Sequence, residues 1–217
     1  MSAPPRPRAL IFDWDNTLVD SFGTIHAALN DTQRAMGTDI WPLDETRRRV
    51  RQSLRDHFPI LFGERWEEAR EIFFRSFEQR HLEQLRPLPG AEDLLRGMAP
   101  HCLMAVVSNK TGGYLRKEAQ HLGWHGLFHG IVGATDCARD KPSPEPVLKA
   151  LEGSGLAPGP DVWFVGDADI DLECAKNSGC TGVLVRAEPP GEGEFGHAPP
   201  SIHVREIRAL RALALAG

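Results

Sequence analysis

Phe12-Asp13-Trp14-Asp15-Asn16-Thr17-Leu18-Val19-Asp20 is the stretch that decides how this chain folds. Just before it, Arg8-Ala9-Leu10-Ile11-Phe12 is a short apolar run of the kind that forms a buried strand. The run stops at two acids one residue apart. Burial gives no reason to set carboxylates at the mouth of such a strand, because an unpaired buried charge is costly. Ligands of open α/β sheets bind outside the carboxyl ends of the strands, so Asp13 and Asp15 are expected to face a crevice. There they could hold a hard cation or attack an electrophile. Taken alone, the same residues also fit a plain strand end with Asp and Asn as turn formers.

The next segment is helical. Phe22, Ile25, Leu29, Thr32 and Met36 recur at helical spacing, with Gly37 as a stop. Trp41-Pro42-Leu43 turns the chain, and Asp44 is expected to cap a second helix carrying Val50 and Leu54. A third pattern runs through Trp66, Ala69, Phe73, Phe77 and Leu85. No strand signal interrupts residues 21–86, and Pro87-Leu88-Pro89-Gly90 closes the block like a hinge.

Strands and helices then alternate. The pattern predicts a helix over 91–98, a strand over 103–107, a polar loop over 108–113, a helix to about 122 and a strand over 130–133. Asp140-Lys141-Pro142-Ser143-Pro144 is a loop that can start a helix over 145–151, since proline is tolerated in a first turn. A strand over 162–165 ends in Gly166-Asp167-Ala168-Asp169-Ile170-Asp171 and is followed by a helix to 178 and a strand over 181–185. Residues 187–200 read as a surface loop, 202–204 as an edge strand and 205–216 as a terminal helix. Such alternation implies βαβ units. The expected fold class is α/β: a Rossmann-like, mostly parallel sheet core from residues 1–20 and 87–217, with an α-helical cap inserted over 21–86.

Composition narrows the setting. Apolar content of 41% and charged content of 25% over 217 residues are ordinary for a globular protein. The net charge of -5 argues against a nucleic-acid polymer as partner. No apolar run approaches membrane-spanning length. The start, Met1 to Arg8, lacks the apolar segment of a secretory signal and reads as a loose lead-in. Cys102, Cys137, Cys174 and Cys180 form no C-x-x-C pair; the expectation is free thiols and a cytoplasmic protein. Oligomeric state leaves no trace in the sequence.

In a parallel sheet the carboxyl ends of the strands share one edge, so polar clusters far apart in the chain can converge. These are Asp13 and Asp15, Ser108 and Asn109, Lys141, and Asp167 and Asp171. The acids can supply oxygen ligands to Mg²⁺, which also favours substrate phosphate and water. The lysine and hydroxyl can take the remaining phosphate oxygens.

Four segments together, residues 12–21, 107–110, 140–142 and 166–171, resemble the haloacid dehalogenase-like superfamily, and within it the phosphoglycolate phosphatase-like enzymes with a helical cap. The resemblance implies that Asp13 is the nucleophile and a Mg²⁺ ligand. It implies that Asp15 is the acid and base, ligating the metal through its backbone carbonyl, with Thr17 supporting the loop. Ser108 and Asn109 match phosphate-binding positions, and Lys141 would pair with Asp13 and the phosphoryl oxygens. Asp167 would be the second carboxylate on the metal, with Asp171 orienting the site or ligating through water. The second acid, Asp15, favours phosphate over organohalide as substrate.

Two departures stand out. Asn16 occupies a position that is commonly Gly, and Asn tolerates unusual backbone angles better than most residues. The Gly-centred segment that relatives often carry early in the cap is missing around Val50-Arg51-Gln52-Ser53-Leu54, which counts against phosphoglycolate itself. Arg47, Arg48, Arg49, Arg51 and Arg55 fit a solvated helix face better than an anion clasp. Trp14 is expected to pack, Asp169 to be a bystander and Lys110 to be solvent-exposed. No histidine reads as a metal ligand. The expected function is a Mg²⁺-dependent phosphatase for a small phosphate monoester (phosphoglycolate-like, sugar phosphate or nucleotide). The alternatives are a phosphomutase and a non-catalytic phospho-ligand-binding protein.

Overall fold

Ala9, Leu10, Ile11 and Phe12 have 0% exposure in the computed structural model, which describes residues 5–216. They form β1 (Ala9–Phe12), and a run that is apolar at every position suits a strand covered on both faces. Leu10 and Phe12 pack with Met104, Val106, Trp163 and Val165 on one side of the sheet. Ala9 and Ile11 pack with Ala105, Val107, Val162 and Phe164 on the other, as the two-residue period of a strand requires.

β2 (Val19–Asp20) leads into five helices: α1 (Phe22–Met36), α2 (Leu43–Arg49), α3 (Leu54–Phe62), α4 (Trp66–Glu78) and α5 (His81–Gln84). β3 (Arg86–Pro87) brings the chain back beside β2, antiparallel, with Val19 opposite Pro87. The remaining elements are α6 (Ala91–Met98), β4 (Leu103–Thr111), α7 (Gly112–His121), β5 (Gly130–Ala134), α8 (Glu145–Ala150), β6 (Val162–Gly166), α9 (Asp169–Ser178), β7 (Thr181–Val185), β8 (Ile202–Val204) and α10 (Leu210–Ala216). The main sheet has six strands in the order β5-β4-β1-β6-β7-β8, every pair parallel. From β1 the chain builds outward through β4 and β5 on one flank and through β6, β7 and β8 on the other. That reversal makes the carboxyl end of β1 a topological switch point, where ligands of open sheets bind.

The helices between β2 and β3 have a core of their own. Leu29 of α1, Phe58 of α3 and Ala69, Phe73 and Phe77 of α4 are buried together, and Phe58 meets Phe73 edge-on at 5.6 Å. The expected α/β class, with a parallel sheet and an inserted helical region, is what the chain adopts.

Several local expectations differ. The single helix expected from Asp44 through Leu54 is two, because residues 50–53 leave the helical conformation. Pro42, not Asp44, precedes α2, and Asp44 lies in its first turn. Ser53 has extended backbone ahead of α3, and its hydroxyl donates to Asp56 at 2.9 Å, a local start signal of the S-x-x-D kind. The third helical pattern breaks after Glu78, so Leu85 lies beyond a separate short α5. β3 was not expected within the helical block. β4 runs on through Ser108, Asn109 and Lys110 where a loop was expected. Of the lead-in, residues 1–4 lie outside the described residues, while Pro5 and Arg8 are tied to the sheet. The Pro5 carbonyl accepts from Trp163 Nε1 at 3.1 Å, and Arg8 N–H donates to Asp161 O at 2.8 Å.

Candidate active site

Asp13 follows the last residue of β1 and is held there by its N–H, which donates to the Val165 carbonyl at 2.8 Å. The chain then turns back on itself. Asn16 N–H donates to Val19 O at 2.7 Å and Leu18 N–H to Trp14 O at 3.0 Å, with Asn16 at φ 59°. A left-handed backbone is what Asn accepts more readily than other side-chain-bearing residues. Thr17 is fully buried, its hydroxyl 3.4 Å from both Asp13 Oδ2 and Asp167 Oδ1.

Lys141 reaches this loop from before α8. Its Nζ lies 2.6 Å from Asp13 Oδ1 and 2.7 Å from Asp171 Oδ1, and the side chain is 2% exposed. Burial opposes the charge on Lys141, but the two carboxylates outweigh it and its pKa is raised. Asn109 holds the backbone of the same residue: Oδ1 accepts from Lys141 N–H at 3.1 Å and Nδ2 donates to Lys141 O at 3.3 Å. Nδ2 also faces the Arg51 carbonyl at 3.3 Å, so Asn109 touches the inserted helical region too. Ser108 is buried on β4 and lines the cavity, its Oγ accepting from Lys110 N–H at 3.2 Å.

Asp167 and Asp171 come from the end of β6 and the first turn of α9. Asp171 approaches so closely that a Cβ on Gly166 would lie 2.3 Å from its carboxyl carbon, which explains the glycine. One carboxylate oxygen from each of Asp13, Asp167 and Asp171 lies within 4.8 Å of the others, so the three could hold a metal ion. Asp171 already accepts from Lys141 through Oδ1 and from Ala168 N–H at 3.1 Å through Oδ2. Asp167, which accepts only from the Thr17 hydroxyl among the described residues, is the least committed of the three. Burial, aided by Asp171 and Asp15 and opposed by Lys141, pushes Asp13 up to about 7. Burial, reinforced by Asp171 and Asp13, raises Asp167 well above the usual carboxylate range. Crowded oxygen donors with surplus negative charge suit a hard divalent cation.

Beyond these groups is a cavity of about 140 Å³ whose other wall comes from the inserted helices, including Ile25, Leu54, Phe58, Phe73 and Phe74. The arginines sort themselves by partner. Arg48 and Arg49 pair with Glu45 on the surface, and Arg47 lies 3.9 Å from Asp44 and over the Phe22 ring. Arg55 Nε is 2.8 Å from the buried Asp140, an ion pair between inserted region and sheet. Arg51 alone of the five lines the cavity, and its guanidinium has no ion-pair partner among the described residues.

All of the sequence-selected residues Asp13, Asp15, Thr17, Ser108, Asn109, Lys141, Asp167 and Asp171 gather at this edge, and all but Thr17 line the cavity. Asp169 is exposed and turned away, and Trp14 is fully buried as packing. Lys110 corrects an expectation. Instead of facing solvent, its side chain is 5% exposed and its Nζ sits 2.7 Å from Asp15 Oδ1 and 2.7 Å from Glu118 Oε2. Burial opposes its charge too, yet Asp15 and Glu118 raise its pKa. Glu118 was missed outright. Its only sequence signal is an acid eight residues after a lysine, on a helix where any surface acid would look alike.

Acids and a lysine gathered at the switch point of a parallel sheet, under an inserted helical region, define a hydrolase site of a recognisable class. The chain belongs to the haloacid dehalogenase-like hydrolase family, whose pattern it matches over residues 10–185. It is similar to the phosphoglycolate phosphatase of Aquifex aeolicus, with 32% identity over 82% of this chain and 84% of that one. A second phosphoglycolate phosphatase, from Rhodobacter capsulatus, is 30% identical over 81% of this chain and 83% of the relative. The fold matches a haloacid dehalogenase-like hydrolase from Bacteroides fragilis with a TM-score of 0.85, at 20% identity, covering 94% of this chain and 99% of that one. Among the described residues no helix is long and apolar enough to cross a membrane.

Proposed function

We propose that this hydrolase is a Mg²⁺-dependent phosphatase for small phosphate monoesters, acting through an aspartyl-phosphate on Asp13. The carrying observation is Lys141 clasped between Asp13 and Asp171, with Asp167 beside them at the end of the central strands. A carboxylate and a phosphate ester repel each other, so attack needs cations on both. Asp13 forms the new bond to phosphorus while the bond to the alcohol oxygen breaks, and that oxygen takes a proton from Asp15. Water then attacks the aspartyl-phosphate, giving its proton to Asp15 and releasing phosphate from Asp13. Lys141 and Ser108 hold the phosphoryl oxygens, and Asn109, the other phosphate-binding candidate, acts through the Lys141 backbone that its amide fixes. Mg²⁺, held by Asp13, Asp167 and the Asp15 carbonyl, would neutralise phosphoryl charge. In this reading residues 1–20 and 87–217 are the catalytic core and residues 21–86 a cap that closes over the ester and excludes water. Four free cysteines accord with a cytoplasmic setting.

A cavity of about 140 Å³ is well below the roughly 300 Å³ at which sites for drug-sized ligands begin. It favours a phosphate bearing a few carbon atoms over a nucleotide. The deciding experiment measures phosphate release from phosphoglycolate, glucose 6-phosphate and AMP with Mg²⁺. Release from the smallest ester at the highest kcat/KM supports the reading. Absence of release from all three counts against it, and transfer of phosphate to sugar without release would mark a mutase.

Two further results are expected. Mg²⁺ at a hundredfold excess over its Kd should stabilise the fold by about 2.7 kcal/mol, which for a chain of this size is a Tm rise of about 5–10 °C. Asp167→Asn should remove most of that rise, whatever the activity. Arg51→Ala should raise KM about tenfold through one lost charge-assisted contact, while Arg48→Ala, on the surface, leaves KM unchanged. Equal KM values for the two variants would dismiss Arg51 as a substrate contact.

A further inference from the structure

Lys110 and Glu118 are enclosed ionisable groups for which the steps above have no use. Glu118 is 1% exposed and accepts three donors from three elements. Trp14 Nε1 from the catalytic loop and Lys110 Nζ from β4 reach Oε2 at 2.7 Å each, and His81 Nδ1 from α5 reaches Oε1 at 3.0 Å. A buried carboxylate is retained when its acceptor positions are filled in this way. Lys110 passes the contact on, its Nζ lying 2.7 Å from Asp15 Oδ1. The Ser21 hydroxyl donates to that same oxygen. Both anchors therefore fall on Oδ1. Oδ2 has no hydrogen-bond or ion-pair partner among the described residues, and Asp15 lines the cavity.

We propose that Lys110, held by Glu118, is a positioning residue that fixes the Asp15 carboxyl through Oδ1, so that Oδ2 alone gives and takes the proton. The inference rests on the phosphatase reading above. A free carboxyl group rotates about two bonds, and fixing one oxygen confines the other to a single place, where proton transfer gains from alignment. An ammonium suits the task because its three donors can serve two carboxylates at once. Through His81, the last cap helix is part of the same chain of contacts.

The test separates loss of proton transfer from loss of binding or fold. Lys110→Met/Glu118→Gln removes the ammonium and its counter-charge together, so neither ion is left buried alone. Phosphate or phenol release is followed with the fastest alkyl ester of the panel and with 2,4-dinitrophenyl phosphate, whose phenolate departs without a proton. The expected kcat/KM falls about 100-fold for the alkyl ester and less than about threefold for the dinitrophenyl ester. With the latter, a burst of one phenol per protein should precede slow turnover, because water activation also needs Oδ2. Ser21→Ala, which deletes the other anchor and leaves no charge behind, should show the same split in a smaller form. Equal losses on both esters, or no loss on either, in both variants would overturn the proposal. Inactivity of the unaltered protein on every ester would instead remove the phosphatase reading, and this inference with it.

Discussion

Asp13→Asn is expected to cut phosphate release by about 10,000-fold or more, the scale on which enzymes lose turnover with their nucleophile. The amide keeps the size of the carboxyl group but cannot form the acyl phosphate. The same change should make the metal-free protein more resistant to heat at alkaline pH. Burial, helped by Asp171 and Asp15 and opposed by Lys141, pushes Asp13 up to about 7 from 3.8. The folded chain therefore holds this proton more tightly than the unfolded chain. Stability from that proton is complete below the unfolded value and is lost as pH rises through about 7. Asparagine mimics the protonated acid at every pH. Melts without Mg²⁺ should show the variant above the parent at pH 8, by up to about 4 kcal/mol, with the gap closing towards pH 4. Normal turnover in Asp13→Asn would end the covalent assignment.

Lys141→Met should damage both activity and fold. The ammonium is 2% exposed and neutralises Asp13 and Asp171, which would be left facing each other with no cation. Breaking a buried pair by removing one partner costs about 3–5 kcal/mol, a large part of the roughly 5–15 kcal/mol that holds a domain folded. The corresponding fall in Tm is about 10 °C. On the proposed mechanism turnover should drop by at least about 100-fold, since the group assigned to the developing phosphoryl charge disappears. Adding Asp171→Asn removes one of the stranded charges. It should recover part of the Tm and none of the turnover, as read by thermal melts beside phosphate release. Recovery of both would mean that Lys141 serves the fold alone.

The acids were legible because their setting is improbable without a role: carboxylates at the ends of apolar strands have no explanation in packing. The sheet was legible because β1 and β6 are short apolar runs bounded by polar turns. Lys110 was not. Its environment depends on Glu118 and Asp15 meeting from a helix and a loop, and nothing local distinguishes a lysine that will be enclosed from one that will be solvated. Residues 50–53 were misread for a related reason. Arginines and leucines kept helical spacing across them, and the stop shows only through Ser53 and the Asn109 contact to the Arg51 carbonyl. The β2–β3 pair was hidden because two residues per strand carry no periodicity.

The position of β1 also bears on how the protein is made. Its Phe12 pairs with Val106 on one edge and Val165 on the other. Within this sheet β1 leaves the ribosome before either neighbour and has to wait, apolar on both faces, until Val162–Gly166 has been synthesised. Such late, distant pairing slows folding and leaves sticky segments open to aggregation meanwhile. A nascent chain stopped before Val162 would lack one of the two neighbours that shield β1.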